Sequence, residues 1–143
     1  MRRTKHCINA NYRILIVDDD QGIVDSMVFI LKRKGYTVYG LTDPLEAIEN
    51  IHTKAFDMLI LDYLMYPING DKVVESIRKT HPDLYILLIS GNENLNYLRK
   101  KTKALGIQDY GEKSDRFDVL LHHVDVGIKK VSERRAYDKV QDE

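Results

Sequence analysis

The sequence predicts an α/β fold, in which a doubly wound, five-stranded parallel sheet carries helices on both faces. The first observation is three uninterrupted apolar runs: ILIV at 14–17, MLIL at 58–61 and LYILLI at 84–89. Short runs rich in Ile, Leu and Val are typical of parallel strands that are buried on both faces. The second observation is that helical patterns separate these runs, and such β-α alternation favours a parallel sheet with right-handed crossovers.

Two weaker apolar segments complete the predicted sheet. They are TVYG at 37–40 and GIQDY at 106–110. Each lies between predicted helices, so the chain would repeat a strand and a helix five times.

Five helices are predicted from apolar spacing and from capping residues. The first has an apolar stripe over 23–31 and stops before Gly35. The second starts after Asp43, a suitable N-cap, with Pro44 at the first helical position. The others are predicted at about 71–81, at about 93–104 and from about 114 onward.

Composition limits the classes of protein that the chain can be. The 22 Lys and Arg residues balance the 22 Asp and Glu residues, so bulk attraction to nucleic acid or to an anionic membrane is not expected. A single cysteine excludes an intramolecular disulfide, and no apolar run approaches the ~18 residues of a membrane span. We expect a cytoplasmic protein without direct contact to nucleic acid or membrane.

The predicted domain lies between two charge-rich segments. We expect residues 1–12 to form a flexible tail, 13–128 the folded domain, and 129–143 a helical extension or a linker to a possible output domain. Val131 continues the apolar stripe of the fifth helix into this extension, which is either a solvated helical end or a connecting helix. We favour the connecting helix, and therefore expect the chain to be a fragment of a longer protein.

Chemically versatile residues follow four of the predicted strands. Asp18 and Asp19 come after the first strand, Asp62 after the third, Ser90 after the fourth and Lys113 after the fifth. Sites in parallel sheets form at the carboxyl ends of the strands. If the first, third and fourth strands are neighbours, then three carboxylates, a hydroxyl and an ammonium group converge.

Such a cluster suits phosphoryl chemistry that uses a divalent cation. Close carboxylates repel unless a cation intervenes, and Mg²⁺ takes oxygen ligands while leaving positions for water and phosphate. A hydroxyl and a lysine can offset the charge on phosphoryl oxygens, and an attacking aspartate gives an acyl phosphate.

Four segments in order resemble the receiver domains of bacterial and archaeal response regulators, of the chemotaxis-regulator-like kind. They are ILIVDDD at 14–20, DMLILDYLMYPING at 57–70, LLISG at 87–91 and YGEK at 110–113. The resemblance implies a flavodoxin-like (βα)5 fold over most of the chain. It also implies a two-component signalling protein of this class, present in the cytoplasm.

The resemblance implies a Mg²⁺ site. Asp62 matches the phosphorylated aspartate and also contacts the metal, while Asp18 and Asp19 match the acidic pair that holds it, one directly and one through water. The main-chain carbonyl of Leu64 matches a further metal ligand.

The resemblance also assigns roles around the phosphoryl group. Lys113 matches the lysine that pairs with the phosphoryl group, and Ser90 matches the hydroxyl that bonds to it. Tyr110 matches the switch aromatic whose inward or outward rotamer reports the state, and Gly70 matches the turn glycine after the third strand.

Three positions depart from the family pattern. Tyr66 stands where proline is usual, with Pro67 next, so we expect an altered loop around an intact site. Ser114 replaces the proline after the lysine, and since a cis bond without proline costs ~3 kcal/mol, a trans bond and a displaced Lys113 are possible outcomes. Leu64 is apolar beside the path of an attacking water, which predicts slow autodephosphorylation.

The predicted function is a phosphoacceptor switch with no enzymatic turnover beyond self-phosphorylation and slow autodephosphorylation. A sensor histidine kinase or a phosphotransfer protein would phosphorylate Asp62. The change would reach a surface made by the fourth helix, fifth strand and fifth helix, where an output domain or a second copy binds.

Three alternatives stay open at this point. One is a pseudo-receiver that is not phosphorylated and acts as an interaction scaffold. Another is a hydrolase or phosphatase with an aspartate nucleophile, although Leu64 stands where such enzymes need an acid/base aspartate. A nucleotide binder is the least supported, because no Gly-rich loop follows the first strand.

Overall fold

A single parallel sheet of five strands runs through the molecule, as predicted. The computed structural model describes residues 8–142. The strand order across the sheet is β2-β1-β3-β4-β5, and every neighbouring pair is parallel. The strands are β1 (Arg13–Val17), β2 (Thr37–Leu41), β3 (Met58–Asp62), β4 (Tyr85–Ser90) and β5 (Asp109–Glu112).

Helices cover both faces of this sheet, which confirms the doubly wound fold. They are α1 (Gln21–Arg33), α2 (Pro44–Thr53), α3 (Gly70–Arg78), α4 (Leu95–Lys101), a 3-10 turn (Lys103–Leu105) and α5 (Phe117–Gln141). The sheet separates two apolar cores, one shared with α1 and α5 and the other with α2, α3 and α4. Because β3 and β4 are buried along their whole length, their sequences are apolar up to the polar residue that ends each strand.

Aspartate caps begin the first two helices, and Asp43 was predicted as one of them. The Asp20 carboxylate accepts from the amide of Ile23 and the Asp43 carboxylate accepts from the amide of Leu45, so each satisfies an otherwise free N–H of the first turn. After α1 the chain turns at Gly35, whose φ of 95° is readily adopted by glycine.

Several predicted boundaries are wrong near the carboxyl end. The helix expected at 93–104 is shorter, because Asn94 caps α4 and the chain passes into a 3-10 turn after Thr102. The strand expected at 106–110 begins at Asp109, because Gly106 has a left-handed conformation that ends the preceding turn. The last helix begins at Phe117, three residues later than the expected start at 114.

The segments flanking the predicted domain make a few contacts with it where the structure describes them. Residues 1–7 of the expected tail lie outside the described range, whereas Asn9 and Tyr12 are buried. Helix α5 continues without a break through the expected extension, and Arg135 within it forms an ion pair with Asp57 and lies over the Tyr12 ring. The domain boundaries at 12/13 and 128/129 stay predictions.

Within residues 8–142, no helix combines the length and the apolarity needed to cross a membrane.

Candidate functional site

Three carboxylates meet at the carboxyl edge of the sheet. Strands β1 and β3 are neighbours, so Asp18 and Asp19 after β1 lie beside Asp62 at the end of β3. One carboxylate oxygen of each residue lies within 4.8 Å of the others. The topology therefore brings the predicted acidic residues together.

Lys113 joins this cluster from the far side of β4. Its Nζ lies 3.0 Å from Oδ2 of Asp62 and 3.1 Å from Oδ2 of Asp18. Its amide donates to the Ser90 carbonyl over 2.7 Å, which extends the β4–β5 pairing to the lysine. The Lys113–Ser114 bond is trans, and Lys113 still reaches both carboxylates.

Burial makes the negative charge of this cluster unfavourable. Only 2% of Asp62 is exposed, and desolvation, together with the charges of Asp18 and Asp19, raises its pKa to about 6 although Lys113 opposes the rise. The pKa of Asp18 is raised as well, mainly by burial. Burial lowers the pKa of Lys113, but its bonds to Asp62 and Asp18 outweigh burial and leave that pKa raised.

The donor set fits a divalent cation. Three carboxylates against one ammonium leave an excess of two negative charges, and Oδ1 of Asp62 is buried with no hydrogen-bond partner among the described residues. Oxygen donors with uncompensated charge are the ligands that Mg²⁺ prefers. The side chain of Leu64 is exposed, and the metal-ligand role of its carbonyl stays a prediction.

A small cavity lies beneath the carboxylates, between α1 and α5. Its volume is about 140 Å³, and Asp18, Asp62 and Lys113 line it on the polar side. Met27 and Leu120 belong to its apolar wall. Asp62 is therefore deep in the fold, with its Oδ2 paired to Lys113 and its Oδ1 without a partner among the described residues.

Ser90 ends β4, the strand next to β3, but its side chain bonds to Glu93 and not to Asp62. It is fully buried, and its hydroxyl donates to the main-chain carbonyl of Glu93 over 2.7 Å, with a Glu93 carboxylate oxygen 3.1 Å away. Its hydroxyl does not hydrogen-bond to Asp62 in the structure. A hydrogen bond from Ser90 towards Asp62 would require this hydroxyl to turn away from Glu93.

Tyr110 lies inward, in the middle of β5. Its hydroxyl shares a 2.6 Å hydrogen bond with Thr102 at the end of α4, and the Arg99 guanidinium lies 5.0 Å from its ring centroid. Thr102 is also fully buried and donates to the Leu98 carbonyl. The residue predicted to be a switch is thus tied to α4.

Comparison with known proteins identifies the family. The family model described as "Response regulator receiver domain" matches residues 14–125, which is most of the chain. The chain belongs to the response-regulator receiver family. This receiver is therefore related to two-component signalling proteins, as the four sequence segments predicted.

Named relatives agree with this assignment. The chain is 35% identical over 109 residues to "Response regulator MprA" of Mycobacterium ulcerans, an alignment that spans 76% of this receiver and 47% of MprA. It is 32% identical over 98 residues to "Regulatory protein VanRc" of Enterococcus gallinarum, spanning 68% of this receiver and 42% of VanRc. The receiver spans about half the length of these curated relatives.

A solved structure agrees with the fold. The CheY-like response regulator receiver domain protein from Methanospirillum hungatei superposes with a TM-score of 0.80 at 25% identity. The match covers 86% of this receiver and 98% of that chain.

The shape of the loop after Asp62 explains why position 70 is a glycine. A Cβ atom on Gly70 would lie 2.5 Å from the main-chain oxygen of Asp62, and the Gly70 amide donates to the Tyr63 carbonyl. Glycine is needed here for this close approach of two backbones. Tyr66, which replaces the usual proline, is 84% exposed and joined to Pro67 by a cis bond, while Asp62 keeps its place in the cluster.

Three side chains around the site were not found by sequence reasoning. Glu93 accepts from Ser90, Thr102 bonds to Tyr110, and Lys101 donates to the hydroxyl of Tyr63 over 2.6 Å. Only the spacing of Glu93, three residues after Ser90 in a turn, offered a local signal. The other two contacts depend on how α4 packs.

Proposed function

We propose that this receiver is a phosphoacceptor switch in which Asp62 accepts a phosphoryl group with the help of Mg²⁺. The donor is a sensor histidine kinase or a phosphotransfer protein. One observation carries the proposal: the carboxylates of Asp18, Asp19 and Asp62 meet at one edge of the sheet, and Lys113 bridges two of them. Membership of the receiver family supports it.

The transfer step needs little from the protein besides position and charge. An oxygen of Asp62 attacks the phosphorus of a phosphohistidine, the P–N bond breaks, and the electron pair stays on the imidazole of the donor. Lys113 offsets charge on the phosphoryl oxygens, and Asp18 and Asp19 would hold Mg²⁺ beside them. When bound, Mg²⁺ supplies the positive charge that lets the carboxylates and the phosphoryl group coexist.

The output of the switch is a change in population between two surfaces. Ser90 turns from Glu93 towards the phosphoryl group, and the contact between Tyr110 and Thr102 adjusts with it. The face formed by α4, β5 and α5 is where we expect an output domain or a second copy to bind. The absence of direct nucleic-acid contact stays a prediction for this chain.

Mass spectrometry after incubation with acetyl phosphate and Mg²⁺ tests the proposal. The wild-type chain gains one phosphoryl group, and Asp62→Asn gains none. Asp83→Asn is the matched control, since Asp83 is exposed and forms an ion pair with the exposed Arg134. Addition of a chelator before acetyl phosphate abolishes the gain.

A different result would favour the scaffold alternative. If the wild-type chain remains unmodified in Mg²⁺ while it is folded, the site does not accept phosphoryl groups and the chain is a pseudo-receiver. If Asp62→Asn is modified as readily as the wild type, the phosphoacceptor is another residue.

A further inference from the structure

The Ser90 hydroxyl is already committed to a neighbour. It is fully buried, donates to the Glu93 carbonyl at 2.7 Å, and has Oε2 of the Glu93 carboxylate at 3.1 Å. At the same time, Oδ1 of Asp62 is buried and has no partner among the described residues. The site therefore contains an acceptor without a donor, Oδ1 of Asp62, and a donor that is bonded to Glu93, the Ser90 hydroxyl.

We infer that Glu93 is a positioning residue, which holds the Ser90 hydroxyl in the unphosphorylated state and so sets how readily the phosphorylated state forms. The inference rests on the proposed function of Asp62. A serine hydroxyl has one proton to donate. To bond a phosphoryl oxygen on Asp62, this hydroxyl has to leave Glu93.

The charge of Glu93 adds to the competition. A carboxylate is a stronger acceptor than a neutral oxygen, so Oε2 holds the hydroxyl beyond what the main-chain carbonyl alone achieves. A phosphoryl oxygen that accepts from Ser90 would also approach the half-buried Glu93 carboxylate, where like charges are poorly screened. Both effects favour the unphosphorylated state.

The position of Glu93 connects this contact to α4. It directly precedes Asn94, whose side chain accepts from the amides of Asn96 and Tyr97 and so caps the helix. Release of the Ser90 hydroxyl thus frees the residue that joins β4 to the start of α4. The proposed output face includes this helix.

Affinity for beryllofluoride, a phosphoryl mimic, measures the effect without turnover. In Mg²⁺, Glu93→Gln and Glu93→Ala are expected to bind it about fivefold more tightly than the wild type, the equivalent of one weak hydrogen bond. Their thermal unfolding is expected to match that of the wild type. Glu49→Gln, an exposed glutamate on α2, is the control and leaves the affinity unchanged.

A double-mutant cycle shows whether Glu93 acts through Ser90. In a Ser90→Ala background, Glu93→Gln is expected to keep only the direct effect of the charge, so it should change beryllofluoride affinity by less than in the wild type. An equal effect in both backgrounds would mean that the charge acts directly on the mimic, and the inference would be wrong. Unchanged affinity in both Glu93 variants would also overturn it.

The two proposals fail in different ways. A wild-type chain that takes up neither acetyl-phosphate-derived phosphoryl nor beryllofluoride overturns the proposed function and the role of Glu93 together. A wild-type chain that is phosphorylated on Asp62, with Glu93 variants that behave identically, overturns the role of Glu93 alone.

Discussion

Asp62 carries a charge that the folded chain tolerates poorly when no metal is present. Its folded pKa of about 6 lies above the ordinary value of 3.8, chiefly because the carboxylate is desolvated. The folded state therefore binds more protons than the unfolded state between these two values. By linkage, the contribution of Asp62 to stability falls as pH rises through that window and stays low above it.

Neutralising this carboxylate should therefore stabilise the metal-free domain at high pH. Without divalent cations, Asp62→Asn is expected to raise the free energy of unfolding by about 3 kcal/mol at about pH 8, and by almost nothing near about pH 3. Urea denaturation at a series of pH values measures this. Parallel stability curves for the two proteins would contradict it, and excess Mg²⁺ should shrink the difference.

We predict that Leu64 slows hydrolysis of the aspartyl phosphate on Asp62. Its side chain is 59% exposed two residues after Asp62 and offers no hydrogen bond to water. Leu64→Asn is expected to speed hydrolysis of the aspartyl phosphate about fivefold, the value of one hydrogen bond of about 1 kcal/mol to the attacking water. Loss of phosphoryl group followed by mass spectrometry gives the rate.

A wild-type half-life as short as that of Leu64→Asn would argue against this role. Val119→Asn changes an exposed apolar residue on α5 and serves as the control for a general effect of polarity.

Helix α4 is a short helix with one buried apolar residue and several polar side-chain contacts to its neighbours. Besides the buried Leu98, its contacts include the Thr102–Tyr110 hydrogen bond at its end and the Lys101–Tyr63 bond along its side. An element with few buried apolar residues opens at lower cost than the core. We therefore expect these polar contacts to contribute to how firmly α4 stays on the sheet, beside the apolar contacts of Leu95 and Leu98.

Removal of one partner of the Thr102–Tyr110 pair should loosen α4. Thr102→Val leaves the Tyr110 hydroxyl buried without a partner, at an expected cost of about 1–3 kcal/mol. Adding Tyr110→Phe removes the orphaned hydroxyl and is expected to restore much of that loss. Chemical denaturation measures the cycle, and amide exchange in α4 reports where the loosening occurs. Additive costs would show that the two hydroxyls do not act as a pair.

At the scale of the whole molecule, topology was the part that sequence predicted well. The runs at 14–17, 58–61 and 84–89 are apolar because both faces of β1, β3 and β4 are covered, and that pattern survives without knowledge of the fold. Asp62 ends β3 and Lys113 follows β5, and the strand adjacency that the prediction assumed brings them together.

Contacts that depend on turn shape and helix packing were not predictable in this way. Whether Ser90 donates to Glu93 depends on the turn after β4, and the Thr102–Tyr110 bond depends on where α4 ends. Apolar periodicity carries no information on either. The same holds for the pair formed by Arg135 and Asp57, which are far apart in the sequence.

Arg135 tests how far the folded unit extends along α5. Its partner Asp57 is only 10% exposed in its side chain and also accepts from the Arg13 amide, so loss of Arg135 leaves a shielded carboxylate less compensated. Arg135→Ala is expected to lower the free energy of unfolding by about 1 kcal/mol or more. Arg134→Ala, whose pairs are exposed, should cost less than about 0.5 kcal/mol.

If Arg135→Ala and Arg134→Ala are equally stable in urea denaturation, residues beyond 128 do not unfold together with the domain. That result would agree with the predicted domain boundary at 128/129. A larger loss for Arg135→Ala would extend the unit along the helix.

Helix α5 also spans the molecule from one rim to the other. Phe117 in its first turn borders the cavity under Asp62, whereas Arg135 reaches Asp57 just before β3 begins, at the opposite rim. Its 25 residues form a rod about 37 Å long. Because the helix is continuous, a tilt of its first turn beside Asp62 would be carried along its length to the last turns at the distant rim, where the pair between Arg135 and Asp57 would have to adjust.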